Sequence, residues 1–349
     1  MKVSLHMLTW NGLKYLPEFF SSLTNQTYRD FTIRVLDNGS SDGSLTFMQD
    51  HFSQYLVARN VKNLGFATGH NQLVRVALER FGDDLEDKAI VFSNYDLIFD
   101  SNCLGTLYEA LMADPAIAAV QPKLYRAFAA EGGADPESQT PSLSDVLDTT
   151  GLLLQSSWRF VDRGAGEVDA GQYDERRDLI GPAGALFMMR ATAVKELLMN
   201  GELFDGDFFA YREDCDLALR MRKTGYETRF VPTAKAWHYR GMYGANKRSM
   251  RQVLADRRGR SPFTAALATR NQLYFLIKHF SFGDALRYGW RVFPGEFIRL
   301  CYAILFEGET RRMLWSSRHV FSSMFGKRRT LKMTQKVNGA VIRSYIGRP

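Results

Sequence analysis

The first hundred residues alternate strand-forming runs with runs whose apolar side chains recur at helical spacing, and this alternation limits the fold most. Strands are expected at residues 3–8, 31–36, 55–58 and 89–92, and helices at residues 16–23, 44–52 and 70–81. Strands that alternate with helices along a chain form a parallel sheet covered by helices. Ligands of such sheets bind where the carboxyl ends of the strands open into loops. We therefore expect the functional site in the loops that follow these strands.

The second half of the chain is predicted to be less regular. Residues 127–148 are rich in glycine, proline, serine and threonine, which is typical of a loop or an insertion. Further on, strands are expected at residues 185–189, 229–232 and 234–236, and a helix at residues 192–199. From about residue 263 the pattern is helical and basic, and Pro294 is expected to interrupt the second helical stretch.

Charge is distributed unevenly along the 349 residues. Residues 240–349 hold 22 Lys+Arg and 5 Asp+Glu, whereas residues 1–239 hold 23 Lys+Arg and 33 Asp+Glu. An acidic body with a basic tail points to an anionic partner such as phosphate, nucleic acid or anionic lipid.

Neither a disulfide framework nor a secretory signal nor a membrane span is expected. Cys103, Cys215 and Cys301 are far apart and form no CxxC pair, which is typical of reduced cytosolic thiols. The apolar run at the N-terminus is too short for a signal peptide. No apolar run reaches the roughly 18 residues that a spanning helix needs.

Two glycine-containing loops follow predicted strands. Residues 37–43 place a carboxylate at a strand end, where it could accept hydrogen bonds from a base or a ribose. Residues 63–71 open a helix, and helix N-termini attract phosphate. The alternatives are an ordinary polar turn for the first loop and a plain capped loop for the second.

A metal site is suggested at the end of the strand at residues 89–92. Asp96 lies there, and one carboxylate suits Mg²⁺ or Mn²⁺ because such cations share phosphate oxygens with a ligand. His238 is a candidate second ligand if the fold brings it near Asp96. Otherwise Asp96 caps a turn and His238 is a packed residue.

An acidic block at residues 208–220 is the sharpest signal. If a helix starts near Tyr211, Asp214 shares one face with apolar residues that pack inward, which fits a general base. Asp216 and Arg220 are four residues apart and are expected to form a structural pair. The alternative is an acidic first turn that only complements the helix dipole.

Together these features resemble glycosyltransferase family 2, with its GT-A fold, and within it rhamnosyltransferase-like members of bacterial cell-surface polysaccharide synthesis. The resemblance runs from Val3 to about Lys278. It rests on residues 9–12, 26–27, 36–43, 63–66, 162–164, 171–174, 184–185 and 209–220. It implies a mixed, mostly parallel sheet flanked by helices, with a nucleotide-binding part at about 1–125 and an acceptor part at about 150–260. Residues 261–349 would form a basic helical extension of the 1–260 catalytic domain.

The resemblance also implies a reaction and the residues that perform it. Asp214 would take a proton from an acceptor hydroxyl that attacks the anomeric carbon with inversion, and Asp37 would hold the base or ribose. The metal motif reads Asn94-Tyr95-Asp96, with Asn at its first acidic position. The implied set is Asp214 and Glu213 for catalysis; Thr9, Asn11, Asp37, Asn38, Gly65, Asn71, Asn94 and Arg240 for the nucleotide sugar; Gly184, Ala185 and Tyr211 for the acceptor; and Asp96 and His238 for Mg²⁺ or Mn²⁺.

The implied partners are a dTDP- or UDP-sugar and a glycan or lipid-diphosphate-linked acceptor, with no nucleic acid. Aromatic and arginine residues interleave over residues 288–306, as in helices that lie in an anionic membrane interface. This pattern favours a cytoplasmic protein that is peripheral on the inner membrane face. The alternative is an appendage that packs on the core or dimerises.

Three other functions fit the sequence less well than the transferase. A sugar nucleotidyltransferase would favour an early glycine-rich loop with a lysine or arginine, and residues 9–14 differ from that pattern. A nucleic-acid-binding protein could use the basic tail, but the acidic residues 1–239 speak against it. A catalytically inactive sugar-nucleotide binder is disfavoured by the presence of Asp96, Asp214 and His238.

Overall fold

Parallel strands and covering helices form the first part of the protein. The computed structural model describes residues 1–128, 142–239 and 261–347. In chain order the first elements are β1 (Val3–Thr9), α1 (Leu16–Thr24), β2 (Phe31–Asp37), α2 (Ser44–His51), β3 (Leu56–Arg59), α3 (Gly65–Phe81) and β4 (Ala89–Ser93). β1 pairs in parallel with β2 and β4, and β2 with β3. The carboxyl ends of these strands therefore open at one edge of the sheet.

The middle of the chain widens this sheet with strands of both directions. The elements are β5 (Leu97–Phe99), α4 (Cys103–Met112), β6 (Ile117–Phe128), β7 (Ser142–Thr149), β8 (Leu152–Leu154), β9 (Phe160–Asp162), β10 (Asp178–Leu179), β11 (Leu186–Arg190), α5 (Ala191–Leu197), α6 (Glu213–Lys223) and β12 (Glu227–His238). The ten-stranded sheet has the order β10-β12-β6-β11-β4-β1-β2-β3, with β5 on β12 and β7 on β6. β11 is antiparallel to both β4 and β6, so its start lies at the same edge as the end of β4.

Five helices complete the described chain: α7 (Pro262–His279), α8 (Phe282–Phe306), α9 (Gly308–Ser316), α10 (Arg318–Thr334) and α11 (Gly339–Ser344). α7 is not a loose appendage, because its Tyr274 and Phe275 are fully buried in one hydrophobic cluster with Trp158 and Phe208. Met324 of α10 and Ile342 of α11 join the same hydrophobic cluster. The predicted α/β sheet with a C-terminal helical extension is confirmed.

Several local predictions were wrong, each for a long-range reason. Residues 127–148 are not one loop, because β6 runs to Phe128 and pairs with β7. The two pieces predicted over 229–236 form one strand, β12, which continues past a bulge to His238. α8 continues through Pro294, although proline removes one backbone hydrogen bond. In each case pairing or packing with distant residues outweighs the local signal.

Candidate active site

Thr9 and Asp37 end the neighbouring strands β1 and β2 and lie side by side in the register. The Asp37 carboxylate is buried, accepts a hydrogen bond from Ser40 N (3.2 Å from Oδ2) and lies 3.5 Å from the Arg59 Nε. The Thr9 hydroxyl is also buried, and within the described chain it has no hydrogen-bond partner. Buried polar groups ordinarily have a hydrogen-bond partner, so this hydroxyl is available to a ligand that binds at the strand ends.

The turn after β2 is locked to the end of β1 by Asn11. Its Oδ1 accepts a hydrogen bond from Ser41 N at 2.9 Å, and its own N–H donates to Ser40 Oγ at 2.9 Å. Asn11 has a φ of 51°, a left-handed conformation that asparagine tolerates. The two strand-end loops therefore form one unit around Thr9 and Asp37.

Asn38 and Asn71 use their amides to hold the protein's own loops. Asn38 Oδ1 accepts from Asn60 Nδ2 at 3.0 Å and from Leu64 N at 3.1 Å. Asn71 Oδ1 accepts from Phe204 N at 2.9 Å, and its Nδ2 donates to the Phe204 carbonyl at 2.8 Å. The structure thus gives both side chains partners within the protein.

The start of α3 is likewise occupied. The helix begins at Gly65, five residues before the predicted start, and Gly65 has a φ of +84°. A Cβ at this position would overlap the Phe209 carbonyl, which also accepts from Ala67 N at 3.1 Å. Gly65 therefore permits the loop that precedes α6 to approach α3 closely. That loop accepts the hydrogen bond of the Ala67 amide, so this amide is not available to bind a phosphate.

Asp96 and His238 are brought together, as the family resemblance implies. His238 lies on β12, which pairs with β5, and its Nε2 is 3.2 Å from Asp96 Oδ1. Its Nδ1 is 2.9 Å from Asp148 Oδ2, a contact that the sequence did not reveal. Burial disfavours the charged ring, but the Asp96 and Asp148 carboxylates outweigh this and raise the pKa of His238 to about 10.

This arrangement fits a divalent cation. A carboxylate on the far nitrogen of a metal-binding histidine fixes the ring and its tautomer, which is the position of Asp148. Over residues 1–128, 142–239 and 261–347, no group of three or more His, Cys, Asp or Glu side chains is arranged to hold a metal. Asp96 and His238 supply two ligands, which is the number expected where a ligand's phosphates complete the shell.

The backbone of Gly184 and Ala185 connects this edge to the acidic block. The Ala185 carbonyl accepts from Asn94 N at 2.9 Å, and Gly184 N donates to Asp214 Oδ2 at 3.1 Å. Asn94 Nδ2 is also 3.5 Å from His238 Nε2. The strand-end motif and Asp214 therefore face each other across two residues that precede β11.

The two neighbouring carboxyls of α6 have different surroundings. The helix begins at Glu213, two residues after the predicted start, so Glu213 is the buried one and Asp214 is half-buried. Burial, together with the nearby charge of Asp214, raises the pKa of Glu213 to about 8. Asp214 Oδ1 accepts from Cys215 N at 2.7 Å. At neutral pH Glu213 is therefore protonated, and Asp214 is the more accessible of the two carboxyls.

The loop before α6 is strained and is braced by α7. Phe209, Tyr211 and Arg212 have φ values of 64°, 70° and 81°, which are uncommon for residues with side chains. Asn271 Nδ2 donates to the carbonyls of Phe208, Ala210 and Tyr211 at 2.7–2.8 Å. Tyr211 itself is half exposed.

The sequence did not identify Asn271. Its neighbours Arg270 and Gln272 are also polar, so no local signal sets Asn271 apart.

Asp216 is structural, as its predicted pairing with Arg220 indicates. Arg220 Nε lies 2.8 Å from Asp216 Oδ2, while Lys278 Nζ and His279 Nε2 lie 2.6 Å and 2.8 Å from Oδ1. These buried contacts tie α6 to α7 directly behind Asp214. Arg240 lies outside the described residues.

Residues 4–151 match the family described as Glycosyl transferase family 2. The match covers less than half of the 349 residues. The matched stretch ends at residue 151, so it includes the ends of β1, β2 and β4 together with Asp96 and Asp148.

The chain is also similar to two curated proteins. One is the N-acetylglucosaminyl-diphospho-decaprenol L-rhamnosyltransferase of Mycobacterium tuberculosis (strain CDC 1551 / Oshkosh), 24% identical over 237 residues, 67% of this chain and 74% of that protein. The other is the chondroitin synthase of Escherichia coli, 32% identical over 76 residues, 21% of this chain and 11% of that protein.

Among solved structures, the chain resembles GalNAc-T7 with UDP, GalNAc and Mn²⁺, with a TM-score of 0.52 and 15% identity. The match covers 80% of this chain and 48% of that chain, so the protein spans about half the length of that structure. This likeness concerns the fold.

Proposed function

We propose that this protein is an inverting glycosyltransferase that moves a sugar from a nucleoside-diphosphate donor to a hydroxyl of a glycan or lipid-linked acceptor. The observation that carries the proposal is the bridge of Gly184 and Ala185, which holds Asp214 opposite the strand-end motif of Asn94 and Asp96. A single displacement at a sugar carbon requires a base on the side of the attacking hydroxyl. It also requires a site for the leaving diphosphate on the opposite side.

The nucleotide part of the donor would bind at the ends of β1 and β2. Asp37 would accept hydrogen bonds from the base or ribose, and the unpartnered Thr9 hydroxyl would gain a partner. Asn11 would shape this pocket through the 40–41 turn, while Asn38, Gly65 and Asn71 would act through the loops they hold. Arg240, which follows β12, would meet the diphosphate.

Asp96 and His238 would hold a divalent cation, Mg²⁺ or Mn²⁺, with Asn94 beside them. A bound cation would supply stabilisation of the negative charge that develops on the departing diphosphate. Asp148 would keep the His238 ring in place for this task.

In the chemical step, the Asp214 carboxylate removes the proton of the acceptor hydroxyl. The acceptor oxygen forms a bond to the anomeric carbon while the bond from that carbon to the diphosphate oxygen breaks, and the nucleoside diphosphate leaves. The transition state resembles an oxocarbenium ion, as in glycoside hydrolysis. Because Glu213 keeps its proton at neutral pH, it adds no second negative charge beside the base. Tyr211, together with Gly184 and Ala185, would line the acceptor side.

The finer specificity follows from the relatives. The Mycobacterium tuberculosis protein is named a rhamnosyltransferase acting on a diphospho-decaprenol-linked sugar. We therefore infer a rhamnosyl donor, as a dTDP- or UDP-sugar, and a lipid-diphosphate-linked acceptor in cell-wall polysaccharide synthesis. With such an acceptor, the protein would act at the cytoplasmic face of the inner membrane.

The test is nucleotide release from UDP-, GDP- and dTDP-sugars, with Mg²⁺, Mn²⁺ or EDTA, and with or without a lipid-diphosphate-linked N-acetylglucosamine. We expect one donor to be turned over, faster with the lipid acceptor, and no turnover in EDTA. The variant Asp214→Asn should lose turnover of that donor. Asp83→Asn, which changes an exposed aspartate, is its matched control and should retain turnover. Absence of binding and turnover with every donor would overturn the proposal.

A further inference from the structure

Helix α8 turns its more apolar side to solvent. Five large apolar side chains on it are each more than half exposed: Phe282, Leu286, Trp290, Phe293 and Phe297. Their spacing of three or four residues places them on one side of the helix, which we call the α8 apolar face. A surface helix ordinarily does the reverse, with apolar residues inward. A contiguous exposed apolar surface of this kind marks an interaction site.

The inward side of α8 carries the buried residues Asp284, Gly289, Val292 and Ala303. Val292 belongs to the hydrophobic cluster around Trp158, and Asp284 closes a capping box with Ser281. Glu296 adds ion pairs, 2.5 Å from Arg159 Nη2 and 3.1 Å from Arg299 Nη1. These inward contacts attach α8 to the protein, while the large apolar side chains of the opposite side remain exposed.

The apolar surface continues beyond the α8 apolar face. Ile304, Leu305 and Phe306 at the end of α8 are exposed, as is Trp315 on α9. A helix of 25 residues extends about 37 Å. The exposed surface is thus long and follows one helix, which suits a flat interface better than a pocket-sized partner.

Arginines border this surface. The Arg291 guanidinium lies 4.5 Å from the Trp290 ring centre, and that of Arg318 lies 4.9 Å from the Trp315 ring centre. Residues 262–347 hold 14 Lys+Arg and 4 Asp+Glu. Basic residues at the rim of an exposed apolar helix face complement anionic headgroups, while tryptophan is enriched at the membrane interface.

We propose that the α8 apolar face docks on an anionic lipid bilayer, with the helix lying in the plane of the interface. Within the described ranges, no helix is long and apolar enough to cross a membrane. The proposal rests on the proposed function, since it supplies the surface on which a lipid-linked acceptor would be met. Among the basic helices, α8 is the one that contacts the bilayer. The side chains that insert into it are Phe282, Leu286 and Trp290.

The docking helix is joined to the acceptor side of the site. Arg291 Nη1 donates to Ser156 Oγ at 2.8 Å, in the turn that leads to β9. Arg212, two residues before Asp214, donates to the Phe160 carbonyl in β9 at 3.3 Å. These two hydrogen bonds link α8, through the segment around β9, to the loop that precedes Asp214.

The experiment is co-sedimentation of the full chain with phosphatidylcholine vesicles that contain 30% or no phosphatidylglycerol, in 0.1 M salt. We expect binding to the anionic vesicles and at least tenfold weaker binding by the double variant Leu286→Glu/Trp290→Glu. Val168→Glu, at an exposed apolar position outside the α8 apolar face, should bind like wild type. In Trp290→Phe binding should persist, while part of the blue shift of tryptophan emission on binding should be lost.

Each outcome separates this inference from the proposed function. Nucleotide release measured with a water-soluble acceptor should survive in the double variant. Equal vesicle binding by wild type and the double variant, or no binding by wild type, would overturn the docking proposal. A dimer in sedimentation velocity that the double variant dissociates, without vesicle binding, would assign the face to a second copy. Vesicle binding without binding or turnover of any donor would leave docking standing and overturn only the transferase.

Discussion

The backbone N–H of Gly184 donates to Oδ2 of Asp214 across 3.1 Å, which joins the segment before β11 to the first turn of α6. The next residue, Ala185, accepts from the backbone of Asn94 at 2.9 Å. One hydrogen bond from backbone to carboxylate and one between backbone groups therefore set the separation between the proposed base and the proposed metal motif.

Gly184→Ala should displace the base. A Cβ on Gly184 would lie 3.3 Å from the Asp214 Cβ and 3.3 Å from its Oδ2, so the carboxylate must move. We expect kcat to fall about tenfold to a hundredfold, with little change in the donor KM, because a small misplacement of a reacting group costs that much. Steady-state nucleotide release measures both parameters. Gly326→Ala, whose Cβ would meet no atom within 4 Å, should leave kcat unchanged.

Asn271→Ala should loosen the strained loop before Asp214. The substitution removes the donor of three hydrogen bonds to the carbonyls of residues 208, 210 and 211. We expect kcat to fall by about tenfold or more, and the free energy of unfolding to fall by roughly 1–3 kcal/mol because buried carbonyls lose their partner. Gln272→Ala is the matched control, since Gln272 donates to the Trp158 carbonyl instead. It should lower stability but not kcat, and an unchanged kcat in Asn271→Ala would contradict the bracing role.

Glu213→Gln should change how stability depends on pH. The pKa of Glu213 rises from 4.5 to about 8 on folding, so between these values the folded chain keeps a proton that the unfolded chain releases. Through this group, the free energy of unfolding falls as pH rises from about 4.5 to 8. Glutamine cannot ionise, so the variant should match wild type near pH 5 and exceed it near pH 8 in urea unfolding. Glu175→Gln, at an exposed carboxyl, should parallel wild type at both pH values.

Asp148→Asn should weaken metal activation. The Asp148 carboxylate lies 2.9 Å from His238 Nδ1 and orients the ring toward Asp96. Loss of such a partner weakens metal binding by about 10–100-fold. Titration of nucleotide release with Mn²⁺ should show this shift, with a similar rate at saturating metal. Identical activation curves for the variant and wild type would argue against a metal at His238.

Much of the first half of the fold could be predicted from sequence because its signals are local. The strands that end at Thr9 and Asp37 are short apolar runs followed by turn residues, and their pairing follows from the alternation with helices. The contact between Asp96 and His238 could be inferred only through the family resemblance, because they are far apart in sequence and meet through β5 and β12.

The remaining features depend on contacts that no local pattern encodes. The start of α3 at Gly65 is set by the Phe209 carbonyl, and the different burial of Glu213 and Asp214 depends on where α6 begins. Asn271 and Asp148 act on residues at least sixty positions away, so spacing could not reveal them. The sequence showed aromatic and arginine residues interleaved along α8. Only the structure shows which of its large apolar side chains face solvent.

The central claim is that Asp214, and not its neighbour Glu213, removes the acceptor proton. The most direct measurement compares nucleotide release in the presence of acceptor for wild type, Asp214→Asn and Glu213→Gln, together with donor binding by calorimetry. We predict that Asp214→Asn lowers kcat by about 10²–10⁴-fold with unchanged donor affinity, as expected for loss of a general base. Glu213→Gln should retain most of the activity. An Asp214→Asn variant that binds donor and still turns over at the wild-type rate would contradict the account.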